Sequence, residues 1–432
     1  MEENKYKILE GSMLDILPTL EENSFDSCIT DPPYELNFMG KGWDRSGIAF
    51  RKETWEQVYR VLKPGAYLCA FGGSRTFHRI ACAIEDAGFE IRDTIMWLYG
   101  SGFPKSHNVG LDIDKRFGCE NRGHRIATAN RYHPDGTLEP NGENLPPYEG
   151  KTEEGKKWSG YGTCLKPAYE PIIVARKPIE KSVAENVLKY GCGAINIDEC
   201  RVGNEIIKGG TTPDFKDVAK KQKEISGVGG LSFGQVENAK RIELKDHEGR
   251  FPSNVILTYD ETDYDEVCGG MPKNDNGDSS SRYFYCAKAS KKDRDEGLDM
   301  FEEKQTTDGC IRANSETARM FGANSISKKN IHPTVKPIDL MQYLVRMFTP
   351  KGGSILEPFA GSGSTGKATM FENRERNANY TITMIEITHE YIPIIKARCD
   401  YAINKYKYDD EKALRERKEK GELNIFDFDY GE

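Results

Sequence analysis

Strand-like and helix-like stretches alternate at both ends of this chain and fail to alternate through its middle. Near the start, Phe25–Thr30 reads as a short buried strand ending at Asp31. Glu53–Leu62 suits a helix stopped by Lys63-Pro64-Gly65, and Ala66–Phe71 a second strand ending at Gly72-Gly73. A helix over Arg75–Ala87 and a third strand over Phe89–Leu98 follow. The pattern lapses over 104–165, rich in Gly, Pro, Asn, Lys and Glu, which reads as a long excursion. Tyr169–Ala175 restores one strand. Residues 178–330 are polar and glycine-punctuated, with short strand candidates at Ser253–Thr258 and Tyr283–Ala287, and read as a separate insert.

The regular pattern returns at Ile338–Phe348, where Leu340, Met341, Leu344, Val345 and Phe348 recur at helical spacing. Strands at Ser354–Leu356 and Thr381–Ile387 and a helix at Glu390–Lys405 complete it. The expected fold is therefore α/β: a Rossmann-like, doubly wound, mostly parallel sheet assembled from both chain ends. Its halves are residues 1–177 and 331–408, with 178–330 inserted and 409–432 a charged tail.

Bulk properties exclude some classes. No apolar run approaches the roughly 20 residues needed to span a bilayer. The charged start, MEENKYKILEGSM, lacks an apolar signal core, so the expected location is cytoplasmic. The 11 cysteines contain no Cys-x-x-Cys pair and read as free thiols in a reducing compartment. A loose set, His107, Cys119, His124, His133 and Cys164, lacks tight metal-ligand spacing, and no metal is expected. A net charge of −8 leaves nucleic acid open, because binding depends on local patches rather than on the sum.

Glu357-Pro-Phe-Ala-Gly-Ser-Gly-Ser-Thr-Gly366 lies between a strand and a helix, and Gly361, Gly363 and Gly366 fit the spacing GxGxxG. Glu386 ends the next strand. A glycine turn lets backbone approach a nucleotide-type cofactor, and an acid at the next strand end can accept from ribose hydroxyls. Gly361 to Lys367 also approximates a phosphate loop, but Ala368 stands where a Ser or Thr should hold magnesium. A nicotinamide dinucleotide site and a plain glycine turn remain open on the glycines alone.

Asp31-Pro32-Pro33-Tyr34 follows the first strand directly. Two prolines stiffen the turn and remove two amide donors, leaving the Asp31 carboxylate and a nearby carbonyl as acceptors. A strand's C-terminal end is where α/β sheets place ligands, and the Tyr34 ring offers a face for stacking a base. Two acceptors on an exocyclic amino group localise its lone pair, which amino methylation requires. Asp31 capping a helix in a proline-rich loop is the plainer alternative.

With both motifs in hand, the chain resembles the β-class amino DNA methyltransferases, in which the catalytic turn precedes the target-recognition region and the cofactor loop comes last. Val61-Leu-Lys-Pro-Gly65, Leu165-Lys-Pro-Ala-Tyr-Glu-Pro171 and His332-Pro-Thr-Val-Lys-Pro337 add to the likeness. The resemblance implies a class I methyltransferase fold and transfer of a methyl group from S-adenosyl-L-methionine to a flipped base in double-stranded DNA. It implies that Asp31, Pro32, Pro33 and Tyr34 form the catalytic turn. It implies cofactor contacts from Asp15, Asp31, Thr334, Lys336, Glu357, Phe359, Gly361, Ser362, Gly363 and Glu386. The family usually carries Asp where Glu357 stands and an acid where Ser12 stands. Asp31, rather than Ser, before Pro-Pro favours N6-adenine over N4-cytosine. The chain has no Pro-Cys dipeptide for covalent attack at a cytosine ring carbon. A homodimer and a cognate restriction enzyme are the partners such a resemblance suggests. A protein glutamine or RNA substrate, or a DNA-binding scaffold with a vestigial cofactor site, are competing readings.

DNA contacts are expected from Phe38 and Trp43, in a glycine-containing loop over Glu35–Phe50 read as mobile. Others are expected from Arg282, Lys288, Lys291 and Lys292, with Arg294 nearby, beside Tyr283-Phe284-Tyr285, where basic and aromatic residues interleave. The competing reading of that cluster is a solvated charge run.

Overall fold

A computed structural model describes residues 5–36, 42–99, 106–119, 131–132, 138–139, 150–213, 241–258, 284–285, 289, 291–306 and 326–404. Its main sheet has nine strands. We number them along the chain: β1 Tyr6–Glu10, β2 Phe25–Thr30, β3 Leu62–Phe71, β4 Glu90–Tyr99, β5 Tyr169–Arg176, β6 Val255–Thr258, β7 Phe284–Tyr285, β8 Ser354–Glu357 and β9 Thr381–Glu386. Their spatial order is β1-β9-β8-β2-β3-β5-β4-β6-β7. From β1 to β3 every pairing is parallel, whereas β5 runs antiparallel to both β3 and β4. The mostly parallel α/β sheet built from both chain ends is therefore what forms.

All six residues of β2 are buried, as expected of a strand covered on both faces. The helices Lys52–Val61 and Phe77–Asp86 pack into a core with Cys28, Leu68, Ile173 and Leu356, and Trp55 and Val58 are fully buried there. Trp55 also donates its indole N–H to the Ala49 carbonyl at 2.9 Å. Replacing such an indole by Ala costs about 3–5 kcal/mol. The helix Ile338–Phe348 packs on the helix Ser364–Arg376, where Gln342 and Arg346 both bond the buried Glu372 carboxylate.

Several expectations needed revision. Lys63-Pro64-Gly65 opens β3 rather than separating helix from strand, because the helix hands over directly at Leu62. The strand β1 went unnamed in the sequence; its alternation is slight, and its pairing with β9 supplies the hydrogen bonds. Within the insert, Val255–Thr258 and Phe284–Tyr285 do not stand apart but extend the main sheet beyond β4, with the Met96 amide donating to the Asn254 carbonyl at 2.9 Å. An edge strand with open donors and acceptors favours such an addition. The helix Val183–Tyr190 was also missed, although Ser182 and Glu185 form a complete capping box.

Residues 42–50, within a stretch expected to be mobile, form two short 3-10 turns, Gly42–Arg45 and Ile48–Phe50, bonded into the core. Asp44 is buried and accepts the amides of Glu35 (2.8 Å) and Leu36 (3.1 Å), while Thr54 donates to the Ile48 carbonyl.

Residues 99–168 form a compact unit separate from the rest. Within it, the helices Val109–Arg116 and Glu153–Lys157 pack around Asp114, which accepts the amides of Lys151 (2.7 Å) and Thr152 (3.0 Å). Among the described residues no helix is long and apolar enough to cross a membrane.

Candidate active site

The order β9-β8-β2-β3 places two loops side by side. β8 and β2 are parallel neighbours, with Ile355 opposite Ser27 and Leu356 opposite Cys28. Their C-terminal ends therefore release the glycine loop and the Asp31 turn on the same edge. From β8 the chain winds outward to β9, and from β2 it winds the other way to β3. Such a reversal opens a crevice at the strand ends, where open α/β sheets bind ligands.

Glu357 ties the two loops together. Thr30, the last residue of β2, donates its hydroxyl to Glu357 Oε1 at 2.5 Å. Thr365 donates to Oε2 at 2.6 Å, and the Phe359 amide to Oε1 at 3.1 Å. Burial pushes the Glu357 carboxyl up to about 8, against the pull of these donors. Glu357, expected as a cofactor contact, is buried and braces the two loops through these donors.

The glycine loop is drawn tight around two contacts. Gly361 has φ +54°, and a Cβ there would lie 2.9 Å from His332 Nε2. Gly363 has φ +71°, and a Cβ there would lie 2.8 Å from Ile395 Cγ2. Only glycine meets both demands without strain. The Gly361 amide donates to Glu386 Oε2 at 2.7 Å, and the Thr388 amide to Oε1 at 2.8 Å. A carboxylate offers about four acceptor sites, so Glu386 keeps capacity for the hydroxyls of a ribose. Ile387 beside it is an exposed apolar side chain, and the Gly11 amide donates to the Glu386 carbonyl. The segment containing Asp15 thus abuts the same strand end, with Asp15 exposed on the short helix Met13–Ile16. A loop with close backbone, a carboxylate with spare acceptors and an apolar neighbour fit a nucleoside-type cofactor.

Ser362, also expected at the cofactor, faces inward. Arg398 is fully buried and donates to the Ser362 carbonyl at 2.5 Å and to its hydroxyl at 3.0 Å. Burial lowers the Arg398 guanidinium to about 10. This residue was missed in the sequence; the available signal was an arginine on the buried face that Ile394, Ile395 and Ala402 define over the helix 392–404. Lys367 settles the phosphate-loop alternative. It is fully buried and paired with Glu296 at 2.8 Å, so it does not face the glycine loop as a phosphate-binding lysine must.

On the other side of the crevice, Lys336 reaches the Asp31 turn from 305 positions away. Its ammonium lies 2.6 Å from Asp31 Oδ2, 3.1 Å from the Tyr34 hydroxyl and 3.4 Å from Glu170 Oε2. Lys336, expected as a cofactor contact, pairs with Asp31, because two carboxylates converge on it. Burial alone would depress the Lys336 ammonium, but Asp31 and Glu170 overcome this and hold it above the ordinary lysine range. The second oxygen of Asp31, Oδ1, is buried and has no hydrogen-bond partner among the described residues. Burial and the adjacent carboxylates push the Tyr34 phenol well up, so it stays protonated and donates to Glu170 at 2.7 Å. Gly73 lets the Tyr34 ring pack against the end of β3, since a Cβ there would sit 3.3 Å from Tyr34 Cδ2.

Thr334 is exposed, and its carbonyl meets His332 Nδ1. Burial lowers His332 to about 4, which keeps its ring neutral between Gly361 and Tyr391. Phe359 is half-buried against the core. Phe38, Arg282 and Lys288 lie outside the described residues, as do the side chains of Trp43, Lys291 and Lys292. His124 and His133 do too, and among the described residues no group of three metal-ligating side chains forms.

A family model described as DNA methylase matches residues 25–397. The type II methyltransferase M.HpaI of Haemophilus parainfluenzae is 33% identical over 109 residues, covering 23% of this chain and 34% of the relative. M.HindIII of Haemophilus influenzae is 24% identical over 148 residues, 33% of this chain and 37% of the relative. The matched stretches thus span about a third of these relatives' length. Two solved structures align with nearly the whole chain at low similarity. The PvuII DNA methyltransferase, described as cytosine-N4-specific, covers 91% of this chain and 86% of its own, at 12% identity and TM-score 0.39. An M1.HpyAVI–SAM complex covers 91% and 98%, at 15% identity and TM-score 0.37.

Proposed function

The chain belongs to the DNA methylase family, and from that premise we propose that it methylates the N6 amino group of adenine in double-stranded DNA, with S-adenosylmethionine as donor. The observation that carries this reading is Asp31 Oδ1: a buried carboxylate oxygen without a partner among the described residues, beside a loop whose Gly361 and Gly363 leave no room for a Cβ.

S-adenosylmethionine, when bound, supplies an electrophilic methyl group. Gly361 and Gly363 give it room, and Glu386 accepts its ribose hydroxyls. A target base inside a duplex cannot reach Asp31, so it enters flipped out and stacks on Tyr34. Asp31 Oδ1 accepts one N–H of the amino group, while Lys336 holds Oδ2 and so fixes the plane of the carboxylate. The rigid prolines Pro32 and Pro33 keep this acceptor in place without competing donors. A proton released from the amino nitrogen is first held at Oδ1. The contribution is positioning and preorganised charge rather than strong basicity.

Residues 178–330 supply target recognition in this reading, with Arg282, Lys288, Lys291 and Lys292 against phosphates and Phe38 and Trp43 near the vacated base. Adenine follows from Asp31, where N4-cytosine enzymes of this type more often carry Ser. The test is expression in a host without DNA methylation, followed by genome-wide mapping of modified bases. N6-methyladenine in one sequence motif is the expected outcome. N4-methylcytosine would reassign the base, and unmodified DNA would refute the reading.

A further inference from the structure

We infer that Glu170 is a positioning residue of this site, which holds Tyr34 and Lys336 and leaves one uncompensated negative charge beside the target amino group. The inference rests on the amino-methyltransferase reading and adds to it a residue outside both sequence motifs.

Glu170 lies at the start of β5, the strand that runs antiparallel to its neighbours β3 and β4. Register therefore sets its place: it stands opposite Trp97 of β4, one residue before Pro171. Its Oε2 accepts the Tyr34 hydroxyl at 2.7 Å and lies 3.4 Å from Lys336 Nζ. The same ammonium touches Asp31 Oδ2 at 2.6 Å and sits 4.9 Å over the Phe71 ring and 5.2 Å over the Tyr34 ring. Among the described residues the network therefore contains two carboxylates, one ammonium and one neutral phenol.

The charge balance has a consequence. An Asp31–Lys336 pair alone would be neutral, and a neutral pair does little for positive charge growing on the amino nitrogen during methyl transfer. Glu170 returns the network to one net negative charge in a buried setting, where preorganised charge acts most strongly. It also draws part of the Lys336 interaction away from Asp31, which keeps the Asp31 carboxylate available to the incoming amino group. By holding the Tyr34 hydroxyl it fixes the ring on which the base stacks.

Glu170→Gln separates these roles, because glutamine keeps the volume and an acceptor for Tyr34 while removing the charge. Single-turnover methylation by the full-length wild-type and variant proteins, with labelled S-adenosylmethionine and DNA from a methylation-free host, is the assay. We expect the transfer rate to fall by up to about 100-fold, less than the roughly 100- to 1,000-fold of removing a preorganised donor that touches the reacting atoms, with KM for DNA and for S-adenosylmethionine close to the wild-type values. Glu170→Asp keeps the charge on a shorter arm and is expected to be faster than Glu170→Gln. A Glu170→Gln rate equal to wild type, or a loss confined to KM, would overturn the inference and leave the methyltransferase reading standing. A wild-type protein that transfers no methyl groups would instead sink that reading, and the role of Glu170 with it.

Discussion

Glu357→Gln is a demanding perturbation because the structure predicts that its effect changes with pH. The carboxyl is buried and accepts from Thr30, Thr365 and the Phe359 amide. Burial raises it from 4.5 to about 8. In the unfolded chain it ionises above 4.5, whereas the folded protein retains the proton up to about 8. The folded state thus binds more protons across that window, and the Glu357 contribution to stability falls as pH rises, levelling off above about 8. Each pH unit is worth about 1.4 kcal/mol, so between pH 6 and pH 8 wild type should lose about 2–3 kcal/mol relative to a non-titrating residue. Glutamine mimics the protonated acid: its carbonyl accepts from Thr30 and Phe359, and its amide donates to Thr365, whose hydroxyl can reverse. Glu357→Gln should therefore match wild type within about 1 kcal/mol at pH 6 and exceed it at pH 8. Urea denaturation of both proteins at the two pH values measures this. A stability difference that stays constant from pH 6 to pH 8 would refute the reasoning.

Other outcomes follow from the same geometry. Asp31→Ala should reduce methyl transfer by at least about 1,000-fold while calorimetry shows S-adenosylmethionine affinity nearly intact; retained turnover would remove Asp31 from the chemistry. Gly361→Ala brings a Cβ to 2.9 Å from His332 at φ +54°. It should cost about 1–3 kcal/mol in stability and weaken cofactor binding, readable by denaturation and calorimetry. Arg398→Met strips the Ser362 carbonyl of its buried donor and removes one of the two cations, with Lys367, that lie near Asp293. A loss of about 1–3 kcal/mol in denaturant unfolding is expected.

The sequence was informative where structure follows from neighbours along the chain. Apolar periodicity located the helix Ile338–Phe348 residue for residue and most strands of the main sheet to within a residue or two. Turn chemistry marked the ends: two prolines after β2, and glycines after β8 that must adopt positive φ. The parts of the candidate site that lie in these turns, Asp31, Tyr34, Gly361 and Gly363, could therefore be proposed from sequence, as could Glu386 at a strand end. Periodicity failed at β1, whose pattern is too slight, and at Val183–Tyr190, where the capping box went unread and no core stripe identifies the helix.

Tertiary structure decided which distant groups meet. Nothing local to Lys336 says whether it faces a cofactor or an acid 305 positions earlier; the sheet order that sets β8 beside β2 brings it to Asp31. The same order turns Glu357 and Ser362 inward and sends Lys367 to Glu296. Propensity and turn type depend on a few adjacent residues, so sequence carries them directly. The partner of a buried charge depends on strand register and on which oxygen atoms remain unpaired, and those exist only once the two ends of the chain have closed into one sheet.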